Sequence, residues 1–258
     1  MTNTDPSARR LCVFLGRYCA SLLGAGATCI RLTKNAERIA KAYGKHVEIT
    51  IMPRHVHVSV LEDRETEIVT SIESVPPAPI SFNINTRLSL LSWQVHDYSL
   101  PFDETQRRFD QIIRTDSQSR WLVLLLASAA NASFCRLFGG DAIAMGIVFL
   151  ATMAGYYLKQ EMLSRHIDTR LTFVVCSFLS AVIAAGDVLF GLGSTPQVAL
   201  GTSVLYLVPG IPFLNSFSDM LYRHYICAFS RFVDATILTC CLSAGLCAGM
   251  FLMKAGMF

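Results

Sequence analysis

Five apolar runs between Trp121 and Met253 decide what this chain can fold into. They cover Trp121 to Phe138, Ala142 to Leu158, Leu171 to Phe190, Gln197 to Leu214 and Val233 to Met253. A bilayer core about 30 Å thick takes about 20 mostly apolar helical residues, and each run approaches or reaches that length, the second being short. Charge is distributed to match: residues 1–120 hold 15 of the 22 Lys+Arg and 13 of the 19 Asp+Glu. With 52% hydrophobic and 16% charged residues, the chain exceeds the apolar content of an ordinary soluble domain. The expected architecture is an α-helical integral membrane protein with about five transmembrane helices in residues 120–258, preceded by a small cytoplasmic α+β domain in residues 1–119.

Orientation follows from Lys and Arg in the short loops. Lys159, Arg165 and Arg170 fall between runs two and three, and Arg223 and Arg231 between four and five. The other side has Arg136, none in Gly191 to Pro196, and Lys254 at the tail. This expects a multi-pass membrane protein with the amino terminus in the cytoplasm and the carboxyl terminus outside. The opening residues MTNTDPSARR lead into an amphipathic segment and not a signal peptide. The nine cysteines form no CxxC pair and read as packing residues of a reducing compartment. A net charge of +3 gives no reason to expect a nucleic-acid partner.

In the amino-terminal half, Leu11, Leu15, Cys19 and Leu22 recur at near-helical spacing, and a second helix is expected from Ile30 to Tyr43, ended by Gly44. Val47, Ile49 and Ile51, then Val56, Val58 and Val60, alternate as on strands, and the charged turn EDRE before ETEIVTSI suggests a hairpin. SVPPAPI at 74–80 reads as a stiff linker. Two more helices, Asn85 to Tyr98 and Asp103 to Arg114, lead into the first span.

The familiar catalytic motifs are absent: no GxSxG, HExxH, P-loop or GxGxxG. His55 and His57 share a strand face with Ser59, but no third ligand is indicated, so a solvated polar face is the better reading than a metal site. No enzyme, metal or cofactor is expected. Polar groups within the apolar runs are the alternative candidates. Asn131 lies midway along the first, where a helix–helix hydrogen bond is the simplest role, and Asp187 stands three residues from the end of the third, either functional or interfacial. Gly245 and Gly249 form a GxxxG, and Ala142 with Gly146 repeats the spacing, which suits close helix packing.

The fourth run contains LYLVPGIPFLNSFSDM. Pro209 and Pro212 remove donors from the helical ladder, and Gly210 relaxes the backbone between them. A broken helix at membrane depth is tolerated where it packs on protein or lines a cavity, and discontinuous helices hold the substrates of many transporters. The other reading is a kinked helix without a ligand. Asn215 and Asp219 follow at i and i+4, and Asp219 could equally pair with Arg223.

At this point the chain resembles the threonine/serine exporter family, and within it the larger subunit of the two-component type. The resemblance runs over nearly the whole sequence: RLC, then Gly26-Ala27, Arg31, RIAKAYG at 38–44, RWLV at 120–123, FCRLFGGD at 134–141 with Gly139, Gly140 and Asp141, and LVPGIPFLNSFSD at 207–219. Many members follow the GA pair with acidic residues, whereas Thr28, Thr33 and Lys34 stand here.

The resemblance implies export of small polar metabolites, threonine and serine or a dicarboxylate such as succinate, driven by the proton gradient. It also implies a smaller membrane subunit as partner, a homo-oligomer being the other arrangement. On this reading Pro209, Gly210, Pro212, Asn215, Asp219 and Asn131 belong to the solute path, with Asp219 as the proton- or substrate-linked carboxylate. A second reading, from a different class, is a membrane-anchored regulatory or scaffolding protein whose amino-terminal domain binds a partner.

Overall fold

The structure, a computed structural model, describes residues 6–61, 68–76, 80–114 and 119–253. Of the described residues 74% are helical, with one small sheet. It divides into two compact units, Met1–Asp116 with Ile211–Phe232, and Ser117–Gly210 with Val233–Phe258.

The first unit is built on α1 (Ala8–Gly24). Ser7 caps it by accepting from the Arg10 N–H, and Leu11, Leu15, Cys19 and Leu22 are all fully buried. Each such leucine contributes about 1.5–3 kcal/mol by leaving water. Helix α2 (Cys29–Ala42) leads to an antiparallel meander of β1 (His46–Ile51), β2 (His55–Leu61) and β3 (Ile68–Ser74) in the order β1-β2-β3. Val56, Val58 and Val60 point inward into a core shared with α1, as strand alternation requires. His55 is exposed and His57 and Ser59 are half-buried. The EDRE turn and the centre of SVPPAPI lie outside the described residues.

Helix α3 (Phe82–Tyr98) starts earlier than the sequence suggested because Ser81 caps it, its hydroxyl accepting from the Ile84 N–H. Helix α4 (Phe102–Ile113) completes the core through Phe102 and Phe109, each edge-on to Phe14 at 5.5 Å. The same unit takes in most of α9 (Gly210–Leu221) and the first turns of α10 (Tyr225–Leu252). These join at Tyr222–His224, where Arg223 adopts φ 65° and the His224 N–H returns to the Asp219 carbonyl.

The second unit holds α5 (Arg120–Leu137), α6 (Ala142–Ser164), α7 (Thr169–Phe190), the short α8 (Pro196–Thr202), a 3-10 turn at Leu205–Leu207 and the rest of α10. The GGD motif makes the α5–α6 corner. Gly139 takes φ 85°, a Cβ at Gly140 would strike the Cys135 thiol and carbonyl, and Asp141 caps α6 by accepting from the Ala144 N–H at 2.6 Å. The GxxxG expectation also finds its partner. A Cβ at Gly245 would meet Ser177 and the Val174 carbonyl, and one at Gly249 would meet Ala181, so α10 lies directly on α7.

Among the described residues three helices, α6, α7 and α10, are long and apolar enough to cross a bilayer, or four spans if the interrupted pair around Pro209 counts as one. The five runs thus do not become five equal helices. Helix α5, with 18 residues and about 27 Å at the helical rise, is not among those three. The fourth run is not one helix: it divides into α8, the 3-10 turn and α9. Lys159 and Arg231, counted above as loop charges, lie within α6 and α10.

Candidate functional site

The prolines of VPGIP begin a helix; they do not bend one. Pro209 precedes α9 and Pro212 sits in its first turn, where backbone N–H groups have no intrahelical acceptor anyway. The carbonyls expected to be left open are satisfied locally, Leu205 by the Val208 N–H at 3.1 Å and Val208 by the Gly210 N–H at 2.6 Å. Gly210 avoids the left-handed region, and a Cβ there would meet nothing within 4 Å, so its conformation does not itself demand glycine.

Within the second unit, Asn131 is buried and donates from Nδ2 to Thr152 Oγ1 at 2.6 Å and to the Thr202 carbonyl at 3.1 Å. Thr202 ends α8, so the amide of α5 satisfies a carbonyl from the last turn before the break while tying in α6. The polar seam continues through the Tyr206 hydroxyl, 3.0 Å from Ser180 Oγ, with Ser180 also donating to the Ala151 carbonyl at 3.3 Å. Gly155 makes this possible, because a Cβ there would collide with Tyr206 and Ser180. Asn131 therefore makes the helix–helix hydrogen bond foreseen from sequence. Tyr206 and Ser180 were missed, their only signal being polar residues inside apolar runs.

Sequence reading also passed over Lys159. Its ammonium lies 5.2 Å from the Phe173 ring centroid and 5.6 Å from that of Tyr156, and among the described residues no carboxylate comes within ion-pair distance. Nearer the start of α5, a cleft of about 120 Å³ is lined by Arg120, Trp121, Tyr157, Gln160 and Glu161, with Trp121 stacked on Tyr157 at 5.9 Å.

In the first unit, the residues after the break converge on the turn between α1 and α2. Asn215 Nδ2 donates to the Gly26 carbonyl at 2.9 Å. Asp219, fully buried, accepts the Cys29 N–H on Oδ1 at 2.8 Å and pairs through Oδ2 with Arg231 at 2.8 Å, and Arg231 also donates to the Ala27 carbonyl at 2.8 Å. Thr28, the N-cap of α2, makes no side-chain cap bond, so Asp219 caps that helix from 190 residues away. Its ionic partner is Arg231 and not Arg223. Gly26 takes φ 86° with Ile80 against it, and Arg31 donates to Asn85 Oδ1 at 3.1 Å. Two stretches that stood far apart in the sequence, Gly26-Ala27 and LNSFSD, are thus each other's partners.

At the α5–α6 corner, Asp141 Oδ2 accepts from the Ser194 N–H at 2.6 Å and hydroxyl at 2.8 Å. With the Ala144 N–H as the largest contributor, these donors hold its carboxyl down to about 2. Among the described residues, no cluster of three His, Cys, Asp or Glu could hold a metal ion.

Apolar helices packed through glycines, an interruption in the middle of an apolar run and a polar seam beside it define a multi-pass membrane protein. The chain belongs to the family described as "Putative threonine/serine exporter", whose profile it matches over residues 13–253. It is similar to the "Probable succinate transporter subunit YjjP" of Escherichia coli K12, 27% identical over 248 residues, covering 95% of this chain and 94% of that one. It is also similar to the protein of the same name in Klebsiella aerogenes, 26% identical over 243 residues, covering 93% and 92%. No solved structure matches.

Proposed function

We propose that the protein is the larger subunit of a proton-driven exporter that moves a small carboxylate-bearing metabolite across the inner membrane together with a smaller membrane subunit. The observation that carries this reading is the interrupted fourth run with the Asn131 amide on the last turn of α8. A break at membrane depth persists where protein or a solute path satisfies it, and its neighbours here are hydrogen-bonding side chains. The named relatives, both called succinate transporter subunits, support a dicarboxylate over threonine or serine. Lys159 is the cation we assign to a substrate carboxylate, because it is partly buried against two aromatic rings without a carboxylate partner.

In this reading α5 and the interrupted run complete five spans, the amino-terminal unit is cytoplasmic, and the carboxyl terminus is outside. Pro209, Gly210 and Pro212 set the break. Asn215 and Asp219 fasten the segment after it to Gly26, Ala27 and Cys29, so that the start of α9 is held in place as solute passes.

The test is efflux from cells preloaded with labelled succinate, threonine or serine, with this chain expressed alone and with the smaller subunit. Succinate efflux only on co-expression is the expected result, reduced by Lys159→Met. Absence of efflux of every solute, with both chains inserted, refutes the exporter reading and leaves the membrane-anchored scaffold in its place.

A further inference from the structure

One carboxylate of the second unit has no structural partner equal to its burial. Asp187 is fully buried in the last turn of α7. Its Oδ1 accepts the Gly193 N–H at 2.8 Å, and its Oδ2, also buried, has no hydrogen-bond partner among the described residues. Three features oppose a negative charge there. The group is removed from water with a single donor, which is costly for an anion. It stands at the carboxyl end of a helix, where the carbonyl dipoles already supply negative potential. A second carboxylate faces it: a Cβ built on Gly193 would lie 3.1 Å from Asp141 Oδ2 and 3.2 Å from both Asp187 oxygens, so the two side chains converge on one point. Asp141 has its own set of donors, from Ala144 and Ser194, and remains ionised.

We propose that Asp187 is the carboxyl that binds and releases the coupling proton, with Asp141 and Ser194 as its connection to the solvent at that end of the membrane unit. This rests on the exporter reading and names the group that links it to the proton gradient. A proton suits the site better than a metal cation. Oδ2 is the one oxygen left open, and the other oxygens of both carboxylates face N–H or O–H donors, which repel a cation. Among the described residues, the charged groups near this end are Asp141 and, on α5, Arg136, which donates to the Gly140 carbonyl. Thr195, just before α8, accepts the Asp141 N–H on Oγ1 at 2.9 Å, and Met250 of α10 and Met253 just after it pack against Ala181, Ala184 and Ala185. Among the described residues no base neutralises Asp187, and its side chain is fully buried. The step is simple acid–base exchange: the Oδ2–H bond forms with a proton that enters by way of Asp141 and Ser194, and breaks to release it toward the opposite side of the membrane unit.

Two readouts on the full chain separate this from the exporter reading. The first needs no transport: infrared difference spectra of the purified protein between mildly acidic and mildly alkaline buffer. A protonated buried carboxyl band that is lost in Asp187→Asn is expected. A D187N protein with the wild-type band overturns the proposal. The second uses proteoliposomes of both subunits with an internal pH dye. D187N is expected to retain solute exchange and lose solute-driven proton flux, whereas D187N with wild-type proton flux overturns the assignment and leaves the exporter reading standing.

Discussion

Removing the Asp219 carboxylate should unfasten the α9–α10 hairpin from the α1–α2 turn. In Asp219→Ala, Arg231 keeps its bond to the Ala27 carbonyl but loses its counter-ion, and the Cys29 N–H loses its cap. Breaking a buried pair from one side costs about 3–5 kcal/mol. Arg231 is 20% exposed, so water relieves part of its lost partner and the low end, about 3 kcal/mol, applies. Loss of the cap adds about 1 kcal/mol. The two terms share one carboxylate and do not add fully, so the expected total is about 3–4 kcal/mol. For a chain of this size that lowers the midpoint of thermal unfolding by about 6–16 °C. The assay is thermal unfolding of the detergent-solubilised full chain, followed by helical circular dichroism. Asp219→Asn, which keeps an acceptor for Cys29, should fall between wild type and alanine. Adding Arg231→Leu to Asp219→Ala should recover at least half the loss, because a buried pair replaced by apolar side chains is often neutral. A drop of less than about 2 °C in Asp219→Ala, or no recovery in the double variant, would show that the pair does not fasten this unit.

Further outcomes follow from the same geometry. Alanine at both Pro209 and Pro212 should extend helix across the break and abolish efflux without preventing insertion; unchanged efflux removes the break from the solute path. Gly249→Val places a branched side chain against Ala181 and should destabilise the α7–α10 contact by about 1–3 kcal/mol, read as a lowered unfolding midpoint, with no change contradicting the packing. The folded-state value of Asp141 lies below its ordinary one, so its stabilising contribution is complete above the ordinary aspartate range and lost as pH falls toward about 2. Asp141→Asn should accordingly flatten the acid limb of a stability–pH curve, and an identical limb would discount the cap. If Asp219 carries protons, Asp219→Asn will change the pH dependence of efflux; an unaltered profile confines it to fastening α9.

The sequence by itself determined the elements whose causes are local. Valine alternation determined the strands, the apolar spacing of Leu11, Leu15, Cys19 and Leu22 determined the buried face of α1, and the glycines of GGD determined the corner before α6. It also determined the family, because motif order along a chain survives without any knowledge of contacts. What the tertiary structure alone decided is which groups satisfy one another. Asp219 offered Arg223 as an ionic partner four residues on, and the fold gave it Arg231 and the Cys29 N–H instead. Pro209 and Pro212 read as a break or a kink, and the structure makes them the start of a new helix, the carbonyls before them finding donors within three residues. Asp187 read as interfacial or functional, and only packing could show it sealed with one oxygen unpaired beside Asp141. A hydrophobic pattern records how much surface each segment must hide from water, whereas a polar group's role depends on the partner brought to it through space.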